Sequence, residues 1–208
     1  MSTSLYYIHD PLCSWCYAFK TSLAALKQAL PPNIRFTRLL GGLAADTTEP
    51  MPPALRQSIQ QAWRRIEQTV PGVTFNFAFW SDNTPIRSTY PACRSLLAAR
   101  KQGAEFEDRL LIHIQDAYYQ QAKNPALDAT LLECASRAGL NGRQFELDYR
   151  SHDIDRQLQQ EIKTARSLGV HSYPSLVLER NGDVSPVAVD YLNYRTMLDD
   201  IEKRLIDR

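Results

Sequence analysis

Leu5-Tyr6-Tyr7-Ile8-His9-Asp10-Pro11-Leu12-Cys13-Ser14-Trp15-Cys16-Tyr17-Ala18-Phe19 is the stretch that decides how this chain is read. Leu5 to Ile8 has the apolar character of a short buried strand. From Tyr17 to Leu30 the residues Phe19, Leu23, Leu26 and Leu30 recur on one helical face. Cys13 and Cys16 therefore stand where a strand hands over to a helix. Two thiols separated by two residues at a helix start can close a small ring as a disulfide and reopen it. Unpaired backbone N–H groups and the positive end of the helix dipole favour a thiolate on the first of them. A thiolate is the species that attacks disulfides, so the segment is a candidate redox centre.

Two rival readings stand beside this one: half of a zinc site, and an inert buried pair. A structural zinc ion needs four ligands, and the pair provides two. Cys93 and Cys134 are isolated, with no second pair and no His at ligand spacing beside them. Redox chemistry is therefore preferred, and no metal is expected. Cys93 falls at helical spacing with Tyr90 and Leu97, and Cys134 with Leu131 and Ala138. Both read as small core residues.

The 208 residues are 44% hydrophobic and 23% charged, which is ordinary for a globular protein with a real core. A net charge of +1 offers no electrostatic argument for nucleic acid or an anionic membrane as partner. Met1-Ser2-Thr3-Ser4-Leu5 lacks the basic and apolar regions of a secretory signal, and no apolar run approaches a membrane span. The expected location is the cytoplasm. Four Cys do not imply a disulfide scaffold there, and a CxxC reads as catalytic or metal-binding.

Along the chain, Pro31-Pro32-Asn33 stops the first helix and Ile34 to Leu40 alternates as a second strand, parallel to the first. Gly41-Gly42 releases the chain into a mostly helical middle section. Leu55, Ile59, Trp63 and Ile66 mark one helix; Leu96, Leu97 and Ala99 a second; Phe106, Leu110, Ile114, Ala117 and Tyr118 a third. Val73 to Trp80 is ambiguous: it alternates like a strand, yet its apolar residues suit a loop packed on a core. Shorter helices are expected over Leu131–Ala138 and Phe145–Tyr149, and a longer one over Asp153–Leu168. The strand Leu176–Glu179 follows, then Asn181-Gly182 as a type I′ hairpin signal. A short strand around Val187-Ala188-Val189 and a helix carrying Tyr194, Met197, Leu198, Ile201 and Leu205 close the chain. Strands at the two ends can share one sheet only if the helical block is an insertion. The expectation is an α/β chain with a four-stranded sheet. Residues 1–42 and 152–208 form the sheet-bearing domain, and residues 43–151 the inserted helical domain.

Asp10-Pro11-Leu12-Cys13-Ser14-Trp15-Cys16-Tyr17-Ala18-Phe19 and Gly169-Val170-His171-Ser172-Tyr173-Pro174-Ser175-Leu176 carry a resemblance. With them the chain resembles the DsbA-like branch of the thioredoxin superfamily, where a helical domain interrupts a thioredoxin-like fold. The form Cys-x-Trp-Cys-Tyr-x-Phe is most similar to cytoplasmic members grouped with FrnE-type proteins and disulfide isomerases. Many relatives carry Gly where this chain has Ser172. The resemblance implies that Cys13 is the attacking thiol, Cys16 the resolving one, and Tyr173–Pro174 a cis peptide lying against them. A proline has no N–H, and the backbone of the residue before it can pair with an extended substrate.

The leading reading is a thiol–disulfide oxidoreductase or disulfide isomerase, with Cys13 and Cys16 catalytic and Trp15, Tyr173 and Pro174 binding substrate. Its partners are protein or small-molecule thiols and disulfides. No cofactor is expected beyond the redox-active disulfide, with glutathione a thiol partner. Trp15 is either a platform for substrate or a local packing residue. Asp10 and His9 either assist proton transfer at Cys16 or serve as a turn cap and an ordinary strand-end residue; His171 is a third candidate for approach to the thiols. Two other functions share the architecture. One is a glutathione-dependent isomerase or transferase of the kappa-like group, whose members place Ser where Cys13 stands. The other is a non-catalytic adaptor that binds a protein in the fold's groove.

Overall fold

The computed structural model describes residues 3–206. Met1, Ser2, Asp207 and Arg208, the outer ends of the segments assigned from sequence, lie outside the described residues. The chain divides into two compact units, Met1–Gly41 with Glu161–Arg208, and Gly42–Gln160.

The first unit is built on a four-stranded sheet. Strands β1 (Thr3–His9) and β2 (Ile34–Leu40) flank α1 (Ser14–Ala29), and β3 (Ser175–Arg180) and β4 (Asp183–Val187) precede α9 (Tyr194–Ile206). The strand order is β2-β1-β3-β4, with β1 parallel to β2 and antiparallel to β3. Alternation along β1 sends Leu5 and Tyr7 to one face and Ile8 to the other. On the first face Leu5 and Tyr7 join Phe19 and Leu26 of α1 and Met197 and Ile201 of α9 in one core cluster. On the second, Ile8, Leu39 and Val177 meet Ala165 and Val170. The sheet is therefore covered on both sides, and its inner strand β1 ends at His9, four residues before Cys13.

Asn181 and Gly182 have φ of 54° and 93°, the left-handed pair a two-residue hairpin turn requires. That turn corrects the reading of Val187-Ala188-Val189. Pairing begins at once, with Arg180 opposite Asp183, and ends with Leu176 opposite Val187. The last strand thus lies over 183–187. Pro186 is tolerated within it because β4 is an edge strand.

The second unit holds α2 (Pro53–Thr69), α3 (Phe79–Asp82), α4 (Tyr90–Gln102), α5 (Ala104–Tyr119), α6 (Asp128–Arg137) and α7 (Gly142–Tyr149); α8 (His152–Ser167) begins within it. The ambiguous segment 73–80 is a loop ending in α3. Its Phe75, Phe77, Phe79 and Trp80 surround the fully buried Trp63, as do Tyr118 and Tyr119. Its backbone is held at Phe75 N–H by the Glu67 carboxylate and at Asn76 N–H by the Tyr119 carbonyl, so no strand partner is needed. Cys93 and Cys134 are 0% and 2% exposed, core residues as their helical spacing implied.

Candidate functional site

The turn that delivers the cysteines is set by Asp10 and Pro11. The Asp10 carboxylate accepts the Leu12 N–H at 2.9 Å and its carbonyl accepts the Cys13 N–H at 3.1 Å. This is the side-chain-locked turn that Asp favours. Cys13 then takes an extended conformation (φ −82°, ψ 115°) as the N-cap of α1. Its sulfur accepts the Cys16 N–H at 3.4 Å, one of the donors that a helix start leaves without an intrahelical partner. Cys13 and Cys16 are both free thiols, 8% and 2% exposed.

The opposite wall comes from 160 residues further along the chain. The Tyr173–Pro174 peptide is cis, and the Tyr173 carbonyl accepts the Cys13 S–H at 3.5 Å. Tyr173 is itself anchored: its hydroxyl donates to the Gly41 carbonyl at 2.6 Å. Gly41 leaves the space its ring occupies, since a Cβ there would overlap the Cε1–Cζ edge of that ring. In sequence Gly41 is one of a glycine pair at a strand end, a signal of chain release that carries no indication of Tyr173.

Electrostatics disfavours a thiolate at Cys16. Burial pushes the Cys16 thiol well above the ordinary thiol range, a hydrogen bond with Cys13 and the negative charge of Cys13 act the same way, and so does the charge of Asp10. A hydrogen bond from the Asp10 backbone opposes them. Asp10 therefore both caps the turn and sits close enough to Cys16 for its charge to be felt. Two tyrosines that sequence reading passed over also face the pair. Tyr7 is held protonated by burial and by the charges of Cys16 and Cys13. Tyr191 is raised for the same reasons, burial first.

Trp15 is partly exposed and its ring meets Tyr191 at 5.1 Å, while Tyr191 also meets Phe19 edge-on at 5.7 Å. Trp15 is thus anchored along one side and open on the other. His9 is buried at the end of β1, stacked on Tyr7. His171 is exposed, with its Nδ1 3.1 Å from the Arg166 guanidinium. From its loop it is Tyr173, through backbone, that touches Cys13. Among the described residues no group of three or more His, Cys, Asp or Glu is placed to hold a metal ion, and no helix is long and apolar enough to cross a membrane.

A family model described as Thioredoxin matches residues 6–194. Among solved structures, a proposed protein disulfide isomerase from Nitrosomonas europaea superimposes with a TM-score of 0.85 at 24% identity, covering 99% of this chain and 98% of that one. The cytosolic disulfide reductase DsbM from Pseudomonas aeruginosa gives 0.76 at 24% identity, covering 97% and 99%; it has also been solved with GSH. At these identities the likeness shows the fold: a thioredoxin-like sheet interrupted by a helical insertion, as the order of elements implied. A curated relative, the ClpXP adapter protein SpxH of Halalkalibacterium halodurans, is 25% identical over 177 residues, 83% of this chain and 57% of the relative. The match thus spans little more than half the length of that protein.

Proposed function

We propose, from the premise that the chain belongs to the thioredoxin family, that it is a thiol–disulfide oxidoreductase working through Cys13 and Cys16. The observation that carries the reading is the position of the Cys13 sulfur. It sits at the start of α1 with the Cys16 N–H directed at it and the Tyr173 carbonyl against it. The Cys13 thiolate attacks a substrate disulfide and forms a mixed disulfide. Cys16 then attacks Cys13, closing the internal disulfide and releasing the substrate as a thiol. The reverse sequence donates a disulfide. Trp15, Tyr173 and Pro174 line the approach to Cys13 and contact the substrate. Substrates are protein or small-molecule disulfides in the cytoplasm, and glutathione is the small thiol partner; the cytosolic location of DsbM and its structure with GSH support both.

Replacing Cys16 tests this, because without a resolving thiol the mixed disulfide persists until an external thiol attacks it. Cys16→Ala is expected to accumulate reducible adducts through Cys13 in cell extract, while Cys93→Ala and Cys134→Ala retain turnover. Adducts that survive Cys13→Ser in the Cys16→Ala background would refute the assignment.

The SpxH similarity favours a second reading, a protein-binding adaptor. An adaptor retains partner binding in a Cys13→Ser/Cys16→Ser double variant, whereas the oxidoreductase loses its covalent partners.

A further inference from the structure

The chain holds two Asn-Gly pairs, Asn141-Gly142 and Asn181-Gly182, and the fold treats their side-chain amides differently. In such a pair the glycine nitrogen can reach the preceding amide carbon with little hindrance, because glycine has no Cβ to shield it. All four residues are exposed, so access to water does not distinguish the pairs. Anchoring does.

Asn141 is the N-cap of α7, and its Oδ1 accepts the Gln144 N–H at 3.1 Å. Its backbone is gripped from both sides by one glutamine. The Asn141 N–H donates to Gln102 Oε1 at 2.9 Å, and the Asn141 carbonyl accepts from Gln102 Nε2 at 3.2 Å. That carbonyl also accepts the Phe145 N–H at 2.8 Å. Asn181 stands instead at the tip of the β3–β4 hairpin, in left-handed backbone. Among the described residues none hydrogen-bonds to its side chain. The strand beyond the turn, β4, is paired on one side only, so opening the tip breaks little.

We propose that Asn181 is a site of spontaneous covalent modification, where the side-chain amide is lost through an imide formed with Gly182, while Asn141 is protected by its anchors. The Gly182 nitrogen attacks the Asn181 amide carbon. The new C–N bond replaces the bond to the side-chain NH2 group, which departs as ammonia with the proton from the Gly182 nitrogen. Water then adds to a carbonyl carbon of the cyclic imide, and the ring C–N bond at that carbon breaks. Opening at the side-chain carbonyl gives aspartate; opening at the main-chain carbonyl gives isoaspartate. In sum a water enters and an ammonia leaves, with no oxidation or reduction.

In isoaspartate the main chain runs through the side-chain carbon, which adds a methylene to a loop of two residues. Such a turn cannot take up the extra length and keep Arg180 opposite Asp183. The aspartate product keeps the main chain and adds a carboxylate two residues before Asp183. At the other end of the ladder Leu176 faces Val187, two residues after Pro174. The damage therefore begins at the end of the hairpin away from the thiols.

The purified protein is aged at mildly alkaline pH and cut with a glutamate-specific protease, which separates Asn141 from Asn181. Peptide mass and enzymatic methylation of isoaspartate then report conversion at each site. Asn181 is expected to convert at least about tenfold faster than Asn141, because the anchors of Asn141 must break first. Gln102→Ala removes both of its grips on the Asn141 backbone and is expected to bring Asn141 closer to the rate of Asn181. The melting temperature of the aged wild type is expected to fall by a few degrees. That of aged Asn181→Gly, whose Gly-Gly pair suits the same turn, is expected to hold. No conversion at Asn181, or equal rates at the two sites, would overturn the proposal. An unchanged Asn141 rate in Gln102→Ala would overturn the protection assigned to the anchors, and an equal fall in both aged proteins the consequence assigned to the turn.

Discussion

Gly41→Ala places a methyl group where the Tyr173 ring lies. A Cβ at position 41 would lie 2.1 and 2.2 Å from ring carbons Cε1 and Cζ and 2.7 Å from the hydroxyl, far inside van der Waals contact, so the ring must leave. Its departure breaks the hydrogen bond to the Gly41 carbonyl, worth about 1 kcal/mol. Overpacking adds cost in the usual range of about 1–3 kcal/mol. We expect a loss of about 2–3 kcal/mol in urea unfolding of the variant. Because the ring is the obstacle, the same substitution in a Tyr173→Ala background is expected to cost less than about 0.5 kcal/mol. The double-mutant cycle should therefore show a coupling of about 2 kcal/mol. A chemical consequence accompanies the thermodynamic one. The Tyr173 carbonyl is the acceptor for the Cys13 thiol, so Gly41→Ala alone should change the rate at which iodoacetamide labels Cys13. An equal loss of stability in both backgrounds would refute the reasoning, since the penalty would then arise from the backbone at position 41 and not from the ring.

Two further outcomes follow from the thiols. Mass-mapped iodoacetamide labelling of the reduced protein near neutral pH should modify Cys13 ahead of Cys16, which is more deeply buried and whose thiol is pushed well above the ordinary range by that burial; preferential labelling of Cys16 would reverse the assigned roles. Burial, with the Glu133 charge adding to it, pushes the Cys134 thiol from about 9 up to about 11. Between those pH values the unfolded chain ionises this thiol while the native one keeps its proton. The associated stability is thus complete below about pH 9 and is lost as pH rises toward 11. Denaturation curves of wild type and Cys134→Ala should converge over that window, and a constant difference would contradict it.

What could be read from sequence was local in origin. Cys13 and Cys16 are one helical turn apart, so their spacing and the strand before them suffice to mark a candidate redox centre. The helix faces around Phe19, Trp63, Leu96 and Ile114 follow from a period of 3.6 residues, and the Asn181-Gly182 turn from the left-handed backbone those residues accept. Even the insertion was legible, because strands at both termini can share a sheet in few ways. The β4 register was misplaced because a run of Val and Ala outweighed a turn that starts pairing immediately.

The partners of the thiols were decided by tertiary structure alone. Alternation makes Tyr7 a core residue, but nothing in the sequence places it and Tyr191 where the charges of Cys13 and Cys16 are felt. His171 and Tyr173 are two residues apart in one loop, yet one side chain turns to Arg166 and the other backbone carbonyl to Cys13. Gly41 and Tyr173 are separated by 132 residues and meet in one hydrogen bond. Propensity and periodicity describe how a segment folds on itself. Which carbonyl or missing Cβ a side chain meets is set by how distant strands pair and pack, and that information exists only once the chain has folded.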